Sequence, residues 1–377
     1  MNNNLTRLSD YTKFNNLQLA NTAKTSSMPI AMAMNTNKFG SITVGFNNQL
    51  KDFLDVLGAK RAELTQTVQN ELANNPNYTG ARNAGVKLAW QYEKADIEMG
   101  GTGSANWNKA EQDQILNSHT GTVSGAEGHH QKNVVDHPEH QANPDNIKFY
   151  KTKKDHLEQG HNGDFRNESD APFIDKDKML KRTNVKRVIK NELLGAGISA
   201  AIGFGISFTI SAITELARIG IDSENIDSIL SSSIRSGVEG GAIGLATYGT
   251  GRLVSTVLQN SGIDLLTKTG ALVNFAAVGV VSIALISTYQ FIKMKINGIE
   301  TSVAIREVGK QALFSISILA ISIIAQGIYG GCAGLIVSTS VGIVVLTVGV
   351  ISSTHKRILE NKLKEYAIET YKPLMII

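Results

Sequence analysis

The sequence predicts a mainly α protein in two contrasting parts: a polar, helical N-terminal half and a C-terminal apolar helical bundle of the transmembrane type. Three observations carry this. The composition changes completely near residue 190, from Asn, Gln, His, Lys and Asp to long runs of Ile, Val, Ala, Gly and Ser. Apolar residues before that point recur at helical spacing. Nearly all the histidines lie in one short polar region that reads as loop, strand and helix.

At 377 residues there is room for about two domains. The net charge of +4 decides nothing when taken over the whole chain. The single cysteine, Cys332, excludes an intramolecular disulfide framework and any cysteine-based zinc site. Metal chemistry would therefore use His, Asp and Glu. Residues 1–42 lack the basic and continuous apolar regions of a secretory signal and read as a polar, flexible leader.

The helical region 43–103 begins with "FNNQLKDFLDVLGAKRAELTQTVQNEL" (46–72), whose Leu50, Phe53, Leu54, Leu57, Leu64, Val68 and Leu72 fit one helical face, with Gly58 a weak point. "NNPNYTG" breaks it. A second helix follows over 81–101, stopped by a Gly pair, and then a third, with Asn106 as its N-cap and a stop before Gly121. "NIKFY" (146–150) reads as a strand and "KTKKDHLEQGHNG" as a helix and its exit. This stretch is too polar for a large core, so a bound metal would help to hold it.

His119, His129, His130, His137, His140, His156 and His161 all fall within this region. Neutral imidazoles bind zinc and other divalent ions well, and three of them leave positions open for catalysis. His156 and His161 are five residues apart, where four would stack on a regular helix. Gly160 would let the chain leave helical geometry and swing the second ring back.

The segment "GAEGHHQKNVVDHPEHQANPDNIKFYKTKKDHLEQGHNGDFRN" resembles the HNH endonuclease superfamily, in the bacterial GHH-type branch of polymorphic toxins and defence proteins. The resemblance covers about 104–170 and rests on the His pair after Gly, "NPDNI", "HL" and "HNGDFRN" in that order. It implies a ββα-metal finger over 104–175 holding one divalent ion, of Zn, Mg, Mn or Ni type. His129 would be the first ligand, His130 the general base, and Asn146 the residue that orients loop and base. His156 and His161 would complete the ligand set. Glu127 and Asp164 are alternative ligands, because the last two histidines of such motifs often stand four apart. Lys148, Lys151, Lys153, Lys154 and Arg166 would contact phosphates, and Asn167 could bond a phosphate or cap a turn. His119, His137 and His140 read as surface residues. The implied chemistry is hydrolysis of a phosphodiester: the cation stabilises developing negative charge, and an imidazole titrating near neutrality activates water.

After a basic linker at 176–192, the apolar domain 193–355 contains charge-free stretches at 193–213 and 271–292, then 312–329 and 330–353. Each is about the roughly 20 residues that cross a bilayer. Gly195, Gly197, Gly203 and Gly205 would let helices approach closely. Four spans place Lys178–Lys190, then Lys293, Lys295, Arg306 and Lys310, and the basic tail 356–377 on the cytoplasmic side, with Asp222, Glu224 and Asp227 outside. The Gly-rich stretch 236–258, with Glu239 and Arg252, reads as re-entrant or as an amphipathic helix pair.

The expected protein is a multi-pass membrane-tethered nuclease with its nuclease domain cytoplasmic. It would cleave DNA with little sequence preference as an interbacterial toxin or anti-phage effector, with a bilayer and either an immunity protein or its own copies as partners. The alternatives are a pore-forming protein with a degenerate HNH-like binding module, and a soluble nuclease with a helical assembly domain.

Overall fold

A computed structural model describes residues 2–167, 170–219 and 225–371. Side chains are described from Thr22 onward, apart from 26, 217–218 and several positions beyond 345, so Asp222, Glu224, Lys356 and Arg357 lie outside the description. The chain forms two compact units, Thr43–Asn191 and the remainder, Met1–Ile42 with Glu192–Ile377.

The histidine-bearing unit contains the second part of α1 (Asn2–Asn74), then α2 (Arg82–Glu98), α3 (Lys109–Asn117), β1 (Glu127–His130), β2 (Ile147–Tyr150), the single turn α4 (Lys153–Asp155) and the start of α5 (Lys176–Ile219). The cap of α3 is Asn108, not Asn106. Asn108 accepts the Glu111 N–H at 3.0 Å and donates its own N–H to the Glu111 carboxylate at 2.7 Å. Asn106 has φ 50°, a left-handed conformation that belongs to the preceding loop.

β1 and β2 pair antiparallel, with Glu127 opposite Tyr150 and His130 opposite Ile147. Alternation sends Gly128, Ile147 and Phe149 towards α2. Phe149 meets Trp90 with ring centroids 4.0 Å apart, and Trp107 lies 5.4 Å from Trp90. Beneath this cluster the fully buried Lys176 ammonium meets Glu93 at 2.7 Å. Glu93 also accepts the Trp107 indole N–H at 2.9 Å. Burial pushes the Glu93 carboxyl up, and the Lys176 charge with the bonds from Lys176, Ser104 and Trp107 overcomes it, leaving the pKa lowered.

The other unit holds the first part of α1, the rest of α5, α6 (Ile226–Asn260), α7 (Lys268–Ile296), α8 (Thr301–Tyr329) and α9 (Ala333–Tyr371). The expected flexible leader is instead helix: α1 runs through Pro29, and Met28, Ile30, Met32 and Ala33 are buried against Ile286, Phe275 and their neighbours. Asn35 donates to the Gly195 carbonyl at 2.8 Å and to the Ser199 hydroxyl at 2.7 Å. A proline and a polar composition argue for a loop locally, and this long-range burial overrides them. The expected basic linker, 176–192, is likewise helical, as the first turns of α5, and α9 continues as helix to Tyr371.

Alongside its buried apolar core this unit also buries small polar side chains and exposes many large apolar ones. Ser199, Ser233, Thr247, Ser255, Asn274 and Ser282 are buried, whereas Leu193, Leu253, Leu313 and Ile324 are more than half exposed. Such a surface suits a hydrocarbon surround. Three helices are long and apolar enough to cross a membrane, Lys176–Leu216 of α5, Lys268–Ile296 and Thr301–Tyr329, and Ala333–Val345, the first part of α9, is a shorter apolar stretch among the described residues.

The stretch 236–258 is neither re-entrant nor a helix pair but part of the continuous α6. Its charges are neutralised within the unit, Glu239 by Lys293 at 2.5 Å and Arg252 by Glu192 at 2.9 Å. Its glycines permit a close crossing with α5: a Cβ at Gly203 would collide with the Gly240 carbonyl, and one at Gly195 with the Tyr248 ring. Gly197 and Gly205 meet nothing within 4 Å and take no part in that packing.

Candidate metal centre

β1 carries Glu127 and His129 on one face, and the turn after α4 brings up the remaining rings. His156–Gly160 forms a π turn. Five residues lie about 140° apart on a regular α-helix, and a wider turn with bonds to the fifth residue reduces that divergence. This resolves the spacing of His156 and His161. Gly160 allows the turn to pass the rings: a Cβ there would lie 3.0 Å from His156, 3.2 Å from Tyr150 and 3.3 Å from His129.

The result is a triad. One ring nitrogen from each of His129, His156 and His161 lies within 4.8 Å of the others. His129 Nδ1 and His156 Nε2 are 3.1 Å apart. Partners behind the rings fix their tautomers. His156 Nδ1–H donates to the Glu127 carboxylate at 2.5 Å, and His161 Nδ1–H to the Asn167 carbonyl at 3.2 Å. Both rings therefore keep Nε2 as a lone pair. Burial, then the neighbouring His161 and His156 imidazoles, pushes His129 down to about 3, so it stays neutral across physiological pH. Three imidazoles with a carboxylate behind one of them match the donor set and outer partners that a divalent ion requires. Tyr150 stacks on His156 with centroids 5.6 Å apart, and Phe165 closes the other side at 5.2 Å from His161.

His130 follows His129 on the strand and so faces the opposite way. It is buried, and its Nε2–H donates to the Gln141 carbonyl at 3.0 Å. That bond leaves Nδ1 as a lone pair, buried and without a hydrogen-bond partner. Burial, opposed by the Gln141 bond, lowers its pKa to about 4. The fully buried Asn146 organises the loop between the strands. Its amide donates to the Lys132 and His140 carbonyls at 3.0 and 3.3 Å, and its oxygen accepts the Lys132 N–H at 2.7 Å. Next to it Asp145 receives both Arg61 guanidinium arms, at 3.1 and 3.2 Å.

The remaining candidates lie apart from the triad's nitrogens. Asp164 accepts the Arg166 N–H at 2.9 Å within a turn, and the Asn167 amide donates to the His161 carbonyl at 2.7 Å. Lys148 lies 4.7 Å over the Tyr150 ring, while Lys151 and Lys154 pair with Glu111 and Glu158. His137 and His140 stack on each other outside the triad, and His119 is exposed. Sequence reasoning missed Gln141, Asp145, Tyr150 and Phe165. Of these only Asp145 carried a signal, as part of "NPDNI".

Two antiparallel strands followed by a helical turn thus gather three imidazoles. Residues 65–151 match the Tox-GHH family, described as a GHH-signature-containing HNH/Endo VII superfamily nuclease toxin. The match spans the end of α1 to the end of β2, including His129, His130 and Asn146, and stops before His156 and His161, which the fold then brings to the same place. Neither a curated protein nor a solved structure matches the chain.

Proposed function

We propose that the chain is a membrane-tethered, metal-dependent HNH-type endonuclease that hydrolyses DNA with little sequence preference. The observation that carries this is the triad: tautomers set by Glu127 and Asn167 aim lone pairs together in a unit whose preceding segment matches a nuclease toxin family. His129, His156 and His161 would hold one divalent ion. When bound, such an ion supplies electrostatic stabilisation to the charge that develops on a phosphodiester.

The chain's own residues do the rest. His130 Nδ1 has the lone pair to take a proton from the attacking water, and the Gln141 carbonyl fixes that tautomer. As the water oxygen bonds to phosphorus, the P–O3′ bond breaks and the 3′-oxygen takes a proton from solvent. Nδ1 is buried, so it acts only on a water admitted to the strand end as substrate binds. Asn146 positions the loop that presents the Gln141 carbonyl. Glu127 and Asn167 orient ligands, and Asp164, Arg166 and the nearby lysines support the outer turn and the phosphate backbone.

In the membrane α5, α7, α8 and α9 would make four spans with α6 packed among them. Basic residues at 178–190 would lie on the cytoplasmic side, with the nuclease unit, whereas Lys293 pairs with Glu239 at the other end of α6 from the Arg252–Glu192 pair, so 293–310 does not share that side. The setting is an interbacterial toxin, with an immunity protein as partner, or a resident defence enzyme. A pore-forming role with a non-hydrolytic finger is the second reading, favoured by the small polar side chains buried in the apolar unit.

Plasmid nicking by the full chain in detergent, with divalent ion or EDTA, separates the two. Nicking that EDTA and His130→Ala both abolish, while His130→Ala still binds the ion, supports the nuclease. Dye release from liposomes without nicking under any divalent ion supports the pore.

A further inference from the structure

Lys178, Arg182, Lys186 and Lys190 stand at successive i, i+4 positions on the first turns of α5, all exposed. None has an ion-pair partner among the described residues. Like charges at this spacing destabilise a helix, and no carboxylate relieves them. They form one wall of a groove of about 750 Å³ within the histidine-bearing unit. The other wall is the loop 99–106, which Gly100 and Gly103, at φ 88° and 68°, turn sharply. The two acidic side chains at the groove are already engaged: Asp96 accepts Thr183 and the Gly103 N–H, and Asp175 accepts the Lys178 N–H at 2.8 Å.

From these observations we infer that the groove is a second binding site, for the phosphodiester backbone of a nucleic acid. The identification of the polyanion rests on the nuclease reading. The four cations extend over about 18 Å of helix, stepping about 6 Å at a time. That is a ladder for a linear array of phosphates. One rim of the groove is tied to the end of β2. Asn106 on its rim accepts the Lys151 ammonium at 3.0 Å through its carbonyl, and Lys151 directly follows Tyr150, which stacks on His156. A nucleic acid is favoured over a lipid headgroup because the cations line a walled groove rather than an open face. Backbone contact of this kind gives affinity without sequence preference.

The test is fluorescence anisotropy of the full chain in detergent with a DNA duplex in EDTA, over a salt series, for wild type and the combined Lys178→Gln, Arg182→Gln, Lys186→Gln, Lys190→Gln variant. Four phosphate contacts contribute a slope of about −3.6 in log K against log salt, an affinity loss of about 150-fold between 50 and 200 mM salt. The quadruple variant is expected to lose that component. Replacing the three lysines by Arg should retain it, which excludes misfolding as the cause. Nicking is read separately, with divalent ion added: wild type that shows the salt-dependent binding component yet does not nick with any divalent ion would end the catalytic reading and leave the groove standing. Equal slopes for wild type and the quadruple variant would overturn the proposal. So would unchanged DNA binding with lost affinity for phosphatidylserine in mixed micelles, which would assign the groove to lipid.

Discussion

Replacing Glu127 tests how the imidazoles are held ready for an ion. Its carboxylate accepts the His156 Nδ1–H at 2.5 Å, with the Glu127 side chain 37% exposed and that of His156 11% exposed. A hydrogen bond to a charged acceptor is worth about 1.5–3 kcal/mol and a neutral one about 0.5–1.5 kcal/mol, and the exposure of Glu127 favours the lower part of the first range. Glu127→Gln keeps an acceptor oxygen but removes the charge, a loss of about 1 kcal/mol, or roughly fivefold in ion affinity. Glu127→Ala leaves His156 free to rotate and change tautomer, and outer-partner losses of that kind cost about 10–100-fold. The assay is competition between metal-free protein and a chromophoric chelator for zinc. The expected order is wild type, Glu127→Gln, Glu127→Ala and His156→Ala, from tightest to weakest. If Glu127→Gln binds as poorly as His156→Ala, Glu127 is itself a ligand. If both Glu127 variants bind like wild type, the tautomer argument is wrong.

Gly160→Ala adds a Cβ 3.0 Å from His156 and 3.3 Å from His129, and should cost about 1–3 kcal/mol by crowding the rings, read as weaker zinc binding beside a smaller change in Tm. Unchanged binding would mean that the π turn is not held against the rings. Lys176→Met leaves Glu93 buried without its cation and should destabilise the histidine-bearing unit by about 3–5 kcal/mol in denaturant unfolding. The Glu93 pKa is lowered in the folded protein, so its stabilisation is complete above the unfolded value of 4.5 and is lost as pH falls through the folded value. The gap between wild type and Lys176→Met should accordingly be widest at neutral pH and narrow below about 4; a gap independent of pH would show that charge is not what the pair supplies. In the apolar unit Gly203→Leu should lower thermal stability in detergent by about 1–3 kcal/mol or block folding, because it meets the α6 backbone, whereas Gly205→Leu should have little effect. Equal effects would refute the crossing of α5 and α6.

The sequence disclosed what is local and periodic. Leu50, Phe53, Leu54, Leu57 and Leu64 marked a helical face that buries against Leu88, Tyr92 and Leu180. The histidine cluster and the Gly-His-His pair pointed to the nuclease family whose model residues 65–151 match, before any geometry. What stayed hidden depended on distant partners. Residues 1–42 read as a leader because their composition is polar and lacks a continuous apolar run, whereas Asn35 and the buried side chains from Met28 on pack against α5 and α7 as helix. The spacing of His156 and His161 read as an irregular exit at Gly160, where the chain instead widens into a π turn first. Glu127 read as an alternative ligand, since nothing in the sequence shows that its carboxylate accepts the His156 Nδ1–H. The hold on His130 was invisible for another reason: it comes from a backbone carbonyl, that of Gln141, and any residue supplies one. The small-residue pattern of α5 was half legible, because only Gly195 and Gly203 share the face that meets α6.

The central claim is that one ion held by His129, His156 and His161 serves the hydrolysis of a phosphodiester. The most direct test is to titrate metal-free full-length protein with a divalent ion and follow plasmid nicking at each step. The account predicts that nicking rises to a plateau at one equivalent per chain and that His156→Ala gives none under the same titration. Nicking by His156→Ala at one equivalent, or none by folded, ion-loaded wild type with any divalent ion, would contradict it.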